Sequence, residues 1–592
     1  MGSFFKMLFA SCLGVILGIS LLVFIAIGIV GLIASDAEKP EKLQPNSVLH
    51  LTFSQQVPEL ANNVSTQSFS LEQNDIYGLQ DIVAAIERAK NDKFIKGIFL
   101  DTDESQLQGF ATTRSVREAL MDFRKSGKFI VSHGKFYFSG NYYLASTADE
   151  LYINPLGAME VRGFAVQIPM YKDLLDRLGV RMQIYYAGKF KGATEPYRLN
   201  SLSPENKLQY REFLSDLYGL YLKDVAGSRK MTPDQLRSII DSYAADSPER
   251  ARQYGLADGV LTRPQVFDKL RKRLGLKESE KIHFVSLSSF IESNPEKLNF
   301  KEKQKIAVVY AEGSIMDGKG DAGVITDGQY VKTLEKLADD KNVKAVVLRV
   351  NSPGGSALAS ENILQAVLKV KSKGKPVVVS MGDYAASGGY YISCKADSIF
   401  AEPNTITGSI GVFRIIPSLE NTLSEKAGVH FDSVKTGPFA AGLTLFFDNS
   451  PEEARKMQVS TDEMYEVFLQ HVASGRKMTR DAVHEIAQGR VWSGEDALKN
   501  GLVDRLGTMD DAIRTAARMA NLKNYRVADY PSIPDPIQRL VEELTSQKDE
   551  ELRQARLVKS EFPAFYPLFS EWQAIRKSNG IQAKIPVQVP FK

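Results

Sequence analysis

The chain has 592 residues, with 74 Lys and Arg against 71 Asp and Glu and a formal net charge of +3. That length exceeds what one hydrophobic core supports, so at least two domains are expected. The near-neutral balance, with basic residues spread along the chain, excludes an electrostatic footprint for nucleic acid. Two cysteines, Cys12 and Cys394, provide neither a disulfide framework nor the spacing of zinc ligands.

The first element is apolar. No charged residue lies between Lys6 and Asp36. A bilayer core needs about 20 apolar residues, and a cleavable signal peptide has an apolar region of roughly 7–15. A retained transmembrane anchor over residues 7–35 is therefore expected, with cleavage after Ala34 as the alternative. Lys6 on the short flank favours a cytoplasmic N-terminus, which places the bulk of the chain across the membrane.

After the anchor the chain repeats itself. DKFIKGIFL (Asp92–Leu100) matches DKNVKAVVL (Asp340–Leu348), and SGNYYLASTADELYINP from Ser139 matches SGGYYISCKADSIFAEP from Ser387, a spacing of 248 (387 minus 139). SRKMTPDQL (Ser228–Leu236) and YGLADGV (Tyr254–Val260) are answered by GRKMTRDAV (Gly475–Val483) and NGLVDRL (Asn500–Leu506). Two related domains are expected, over 46–295 and 305–525, joined by the charged stretch Glu292–Lys305. A segment over 530–592 has helical periodicity from Ile537 to Val558 and ends in Pro-containing polar sequence.

Within the second copy, KIAVVYAEG, KAVVLRV and KPVVVSM read as strands. ALASENILQAVLKVKSKG reads as a helix closed by Gly374, and another helix opens near Ser387. Strands alternating with helices imply an α/β fold with a mostly parallel, buried sheet. In such sheets ligands bind beyond the carboxyl ends of the strands, and two of those ends are unusual. One carries Asn351-Ser352-Pro353-Gly354-Gly355 and the other Ala385-Ala386-Ser387-Gly388-Gly389. Paired glycines let a backbone approach a ligand and present its N–H groups. A serine at a helix start faces the positive end of the dipole. The pair reads as a nucleophile, Ser387, with an oxyanion hole from the Gly354, Gly355 and Gly388 amides. Taken singly, each turn also suits an ordinary strand-to-helix connection or a close-packing device. No G-x-x-x-x-G-K-[ST] loop or G-x-S-x-G elbow is present.

A serine nucleophile needs a base. None of the six histidines, His50, His133, His283, His430, His471 and His484, falls at a strand end of the second copy; the image of His133 is Met381. A buried lysine can serve instead. The first copy has Gly188-Lys189-Phe190-Lys191-Gly192-Ala193-Thr194-Glu195-Pro196, where the second has Gly437-Pro438-Phe439-Ala440-Ala441-Gly442 without a lysine. Conversely, the first copy has Asp103-Glu104-Ser105-Gln106-Leu107 in place of the glycine turn, and Asn141 where Gly389 stands. Ser139 is thus expected to be a structural relic, and each half is incomplete alone.

Over nearly its whole length the chain resembles the signal peptide peptidase A (protease IV) family in its long tandem-domain form. The motifs are R-V-N-S-P-G-G at Arg349–Gly355, A-A-S-G-G-Y at Ala385–Tyr390, T-G-S-I-G-V at Thr407–Val412 and G-K-F-K-G-A-T-E-P at Gly188–Pro196. The resemblance implies a tandem Clp-protease/crotonase-like fold and a serine peptidase that degrades released signal peptides without metal or cofactor. It selects Lys191 over Lys189 as general base and gives Ser409, whose first-copy image is Val161, the role of orienting that lysine. It also implies a homotetramer at the bacterial plasma membrane, with the catalytic bulk extracytoplasmic. The rival readings are a crotonase-type enzyme handling acyl-CoA and a membrane-tethered scaffold with degenerate sites.

Overall fold

The computed structural model describes residues 43–63, 76–295, 302–532 and 580–585, apart from 104, 106 and 321, together with Gly14 and Gly18. The anchor expected over 7–35 (those two glycines aside) and the periodic stretch Ile537–Val558 lie outside the described residues. Among the described residues, no helix is long and apolar enough to cross a membrane.

The first copy contributes β1 (Ser47–Leu51), β2 (Ile95–Asp101), β3 (Phe129–Phe138), β4 (Glu150–Glu160), β5 (Arg181–Ala187), β6 (Gly259–Val260) and β7 (Phe284–Ser286). All but β5 form one sheet in the order β6-β4-β3-β2-β1-β7. Its pairings are parallel. Central runs such as IKGIFLD are buried on both faces, as a helix-covered parallel sheet requires.

The second copy contributes β8 (Lys305–Glu312), β9 (Ser314–Met316), β10 (Val324–Thr326), β11 (Val343–Ser352), β12 (Gly354–Ser356), β13 (Val377–Ala386), β14 (Ser398–Ala401), β15 (Ile406–Gly408), β16 (Val412–Ser418), β17 (Val491–Ser493), β18 (Arg505–Leu506) and β19 (Arg526–Tyr530). Its main sheet runs β17-β15-β13-β11-β8-β19, with β14 paired to β13 and β18 to β14.

The repeat is visible in the backbone. The helices Leu79–Asn91 and Asp327–Asp339 have 13 residues each, and β3 and β13 have 10 each. The 26-residue helices Pro204–Arg229 and Pro451–Arg476 both open on a serine cap, Ser203 or Ser450, followed by proline. Both close on a left-handed lysine, Lys230 or Lys477. Serine accepts an otherwise orphaned N–H at the helix start, and proline's missing donor is harmless there.

A third sheet joins the copies, in the order β10-β9-β12-β20-β16-β5, where β20 is Gln582–Lys584. The first copy's β5 pairs antiparallel with the second copy's β16, from Val412↔Ala187 to Ser418↔Arg181. This ribbon carries the chain of the first copy directly to the strand ends of the second.

Candidate active site

Ser387 sits between the end of β13 and the helix Gly388–Ser393, with φ 57° and ψ −113°. A non-glycine residue in so sparse a region costs of order 1–3 kcal/mol and persists only where its surroundings over-determine it. Here the Ser387 N–H donates to Gly408 O at 2.8 Å, and its carbonyl accepts the Tyr391 N–H at 2.8 Å. A Cβ on Gly389 would stand 2.7 Å from Ser352 O, so the turn packs onto the end of β11 only because that residue is glycine.

Lys191 comes from the loop that follows β5. Gly188, at φ 105°, lies against the Gln488 backbone, and a Cβ on Gly489 would meet the Lys191 backbone at 2.7 Å. The Phe190 N–H donates to Gln488 O at 2.9 Å, and Gln209 Nε2 donates to Phe190 O at 3.1 Å. Held this way, Lys191 Nζ lies 2.9 Å from Ser387 Oγ, 3.1 Å from Ser409 Oγ and 3.2 Å from Ser409 O, all in the same chain. The side chain is 1 % exposed. Burial alone pushes its pKa well below that of an ordinary lysine, because no charged partner compensates the lost hydration. Ser409 is itself fixed by an N–H to Arg490 O bond of 2.7 Å.

The glycine turn lies beside this pair. Gly354 has φ 93°, and its N–H donates to Ser352 Oγ at 3.2 Å. Gly388 opens its helix, so its N–H has no partner within that helix. A Cβ built on Gly354 would come 2.7 Å from Gly388 N, and one on Gly388 would come 3.1 Å from Gly355 N. The three glycines therefore converge on one small space beside Ser387.

Both strand ends are fastened by the first copy. Glu59 accepts from Arg349 Nε at 2.8 Å, Arg349 Nη2 at 3.0 Å and Asn351 Nδ2 at 3.1 Å. Arg349, 2 % exposed, also donates to Ser380 Oγ and Met381 O on β13. Asn351 accepts the Tyr384 N–H. On the other side, Asp383 accepts the N–H groups of Ala111 and Thr112 at 2.7 and 2.9 Å and the Thr112 hydroxyl at 2.6 Å. These residues open the first copy's helix Phe110–Arg124, where an anion is favoured.

Behind Glu59, Glu312 accepts its N–H and the Asn63 amide. Burial, with the Glu59 charge beside it, raises the Glu312 pKa to about 8. A carboxyl whose folded pKa is raised contributes stability that is complete below its unfolded value and lost as pH rises through the folded one. Urea midpoints are therefore expected to fall between about pH 4.5 and pH 8, and Glu312→Gln to flatten that slope.

Ser139 is placed differently. Its hydroxyl donates to Arg162 O at 2.8 Å, a backbone tie of the first copy. Among the described residues, no histidine is a hydrogen-bond partner of Ser387, and His133 is buried with Nε2 3.2 Å from Leu261 O. Reading the sequence missed Glu59, Asp383 and Glu312. They carry no motif, and a buried carboxylate facing an arginine 290 residues away leaves no local signal.

The family description Peptidase family S49 fits residues 122–277 and 369–523. The chain is similar to Protease 4 of Salmonella typhi, 38 % identical over 80 % of this chain and 77 % of that protein. It is similar to Protease 4 of Haemophilus influenzae, 37 % identical over 74 % of this chain and 73 % of that protein. The chloroplastic serine protease SPPA of Arabidopsis thaliana is 30 % identical over 81 % of this chain and 70 % of its own length. Among solved structures, a ClpP1 mutant from Listeria monocytogenes has 17 % identity and a TM-score of 0.23, over 35 % of this chain and 94 % of that one.

Proposed function

We infer the function from the geometry of this site in a chain that belongs to peptidase family S49. It is a serine peptidase, and we propose that Ser387 and Lys191 form its catalytic dyad. The observation that carries this reading is the 2.9 Å approach of a buried, uncompensated lysine amine to the hydroxyl of a strained serine. Neutral Lys191 takes the Ser387 proton as Oγ attacks a peptide carbonyl, with Ser409 orienting the amine. The Gly355 and Gly388 amides stabilise the oxyanion, a role in which one donor is worth about 100- to 1000-fold in rate. Gly354, its own N–H turned to Ser352, keeps the space open. Lys191 then returns the proton to the leaving amine, and water, activated by the same lysine, releases the acyl group. The balance needs no cofactor.

The substrates we propose are released signal peptides and similar apolar peptides. We place two Clp-protease/crotonase-type domains behind a retained anchor at residues 7–35, on the extracytoplasmic side of a bacterial plasma membrane, as a homotetramer. Labelling by a fluorophosphonate tests the chemistry: wild type reacts and cleaves an apolar peptide, and persistence of both in Ser387→Ala would refute the assignment. The pH profile is a second check. Catalysis needs the neutral amine, so kcat/KM rises with pH through the depressed Lys191 pKa and levels off above it. Its acid limb therefore lies well below the ordinary lysine value of 10.5. A limb near that value would contradict the assignment.

A further inference from the structure

The lysine loop and the strands that seat the serine belong to different copies, and one buried amide touches both. Gln209, on the helix Pro204–Arg229, is 2 % exposed. Its Nε2 donates to the carbonyl of Phe190, the residue before Lys191, at 3.1 Å. Its Oε1 accepts the Val491 N–H, also at 3.1 Å. Val491 opens β17 opposite Gly408, whose carbonyl takes the Ser387 N–H at 2.8 Å. The residue before it, Arg490, supplies the carbonyl that fixes the Ser409 N–H at 2.7 Å. A single side chain thus spans from the neighbour of the base to the strand that steadies both serines.

The orientation of that amide is dictated from behind. Glu195 is fully buried and accepts from Asn206 Nδ2 at 2.6 Å and from the Ser203 N–H at 3.1 Å. With its nitrogen drawn to the carboxylate, Asn206 turns Oδ1 towards Gln209, whose Nε2 donates to it. The Gln209 nitrogen therefore lies on the side of Asn206 and Phe190, and its oxygen on the side of Val491. In that arrangement every donor meets an acceptor. A buried network satisfied in this way is rigid, whereas one left half-satisfied is costly. The lysine loop is pressed on the same group, since a Cβ on Gly192 would stand 2.6 Å from Asn206 Oδ1.

Two features separate positioning from simple docking of a helix. The counterpart helix Pro451–Arg476 keeps the length, the serine cap and the left-handed lysine at its end. Counted from the shared proline, it carries Glu453 and Lys456 where Asn206 and Gln209 stand. The helix is therefore built without these amides in the copy that lacks the lysine. The first copy's helix also has a separate tie to β17, in which Asp216 accepts the Ser493 hydroxyl at 2.8 Å. That bond does not involve the lysine loop.

We propose that Gln209, aimed by Asn206 and Glu195, is a positioning residue of the dyad, setting the separation of Lys191 from Ser387 and Ser409. The proposal rests on the peptidase reading. A base misplaced by about 1 Å can cost on the order of 100-fold in rate. A loosened loop also returns water to the amine, which favours its charged form. The acid limb of kcat/KM then moves to higher pH.

The test compares the full-length wild type with Gln209→Met, Asn206→Ala and Asp216→Ala on one apolar fluorogenic peptide across a range of pH. Fluorophosphonate titration run to completion counts the active sites, so that unfolded molecules drop out. Gln209→Met is expected to lower kcat per site about 10- to 100-fold, with KM within about two-fold of wild type. Its acid limb should lie at higher pH. Asn206→Ala should shift both quantities the same way by less, and it reads the same effect if Gln209→Met does not fold. Asp216→Ala should leave both where they are in wild type. Wild-type kcat per site and acid limb in Gln209→Met and Asn206→Ala, or equal changes in Asp216→Ala, would overturn the proposal and leave the peptidase reading in place. A wild type that neither labels nor cleaves would overturn both.

Discussion

Replacing Lys191 with alanine is expected to lower kcat/KM by about 1,000- to 10,000-fold, with folding retained. General-base assistance alone is worth about 100- to 10,000-fold, and among the described residues no second base stands by: the hydrogen-bond partners of Ser387 Oγ there are Lys191 and, at 3.5 Å, the Gly411 carbonyl. Ser387→Ala should cost about as much. The double variant should be no worse than either single one, because residues that act as a unit are not additive. Lys191→Arg should also be inactive, since a guanidinium does not deprotonate near neutral pH. Steady-state cleavage of an apolar peptide, with thermal melting to confirm folding, checks all four. Near-normal cleavage by Lys191→Arg would show that the amine does not act as a base.

Removing the Glu59 carboxylate is expected to give the largest loss of stability among changes outside the reacting pair. Glu59→Ala leaves the Arg349 guanidinium, 2 % exposed, hydrogen-bonded to two neutral acceptors, Ser380 Oγ and Met381 O, without the carboxylate that paired it directly. Breaking a buried pair in this way costs about 3–5 kcal/mol. Apolar replacement of both partners, as in Glu59→Leu with Arg349→Met, should recover much of that loss, because no uncompensated charge then remains. Activity should not return with it, since Asn351 loses the same carboxylate and the Gly354 turn follows directly. Urea unfolding at pH 7 measures the stability; a loss below about 1 kcal/mol for Glu59→Ala would show that the pair is not a clamp.

The duplication was legible because it lies in local pattern. The spacing of 248 read from Ser139 and Ser387 reappears in β3 and β13 and in the helices that begin at Leu79 and Asp327. The strand ends bearing Gly354 and Ser387 are legible too, since two glycine pairs follow β-branched runs in the same copy, although either alone suits an ordinary connection. The spacing left Lys189 and Lys191 open. Packing separates them: the Lys191 backbone is pressed on Gly489, whereas Lys189 Nζ lies 5.3 Å over the Phe190 ring. What local pattern could not show is what joins the halves. The Glu59–Arg349 pair, the Asp383 bonds to Ala111 and Thr112, and the β5–β16 ribbon each connect residues more than 220 positions apart. The strand Gln582–Lys584 is not legible in the polar C-terminal sequence, because three residues carry too short an alternation to declare a strand, and its pairing partner is a glycine turn.

In the proposed site the two copies of one chain supply the reacting groups, Lys191 from the first and Ser387 from the second. Co-expression of Ser387→Ala with Lys191→Ala, followed by purification of the mixed protein, tests it most directly. If the pair forms within a chain, no molecule in the mixture holds both groups in one site. Cleavage and fluorophosphonate labelling then stay at the level of the separate variants. If Lys191 instead reaches the Ser387 of a neighbouring chain, mixed assemblies contain intact sites. Recovery of a substantial fraction of wild-type activity in the mixture would contradict the account.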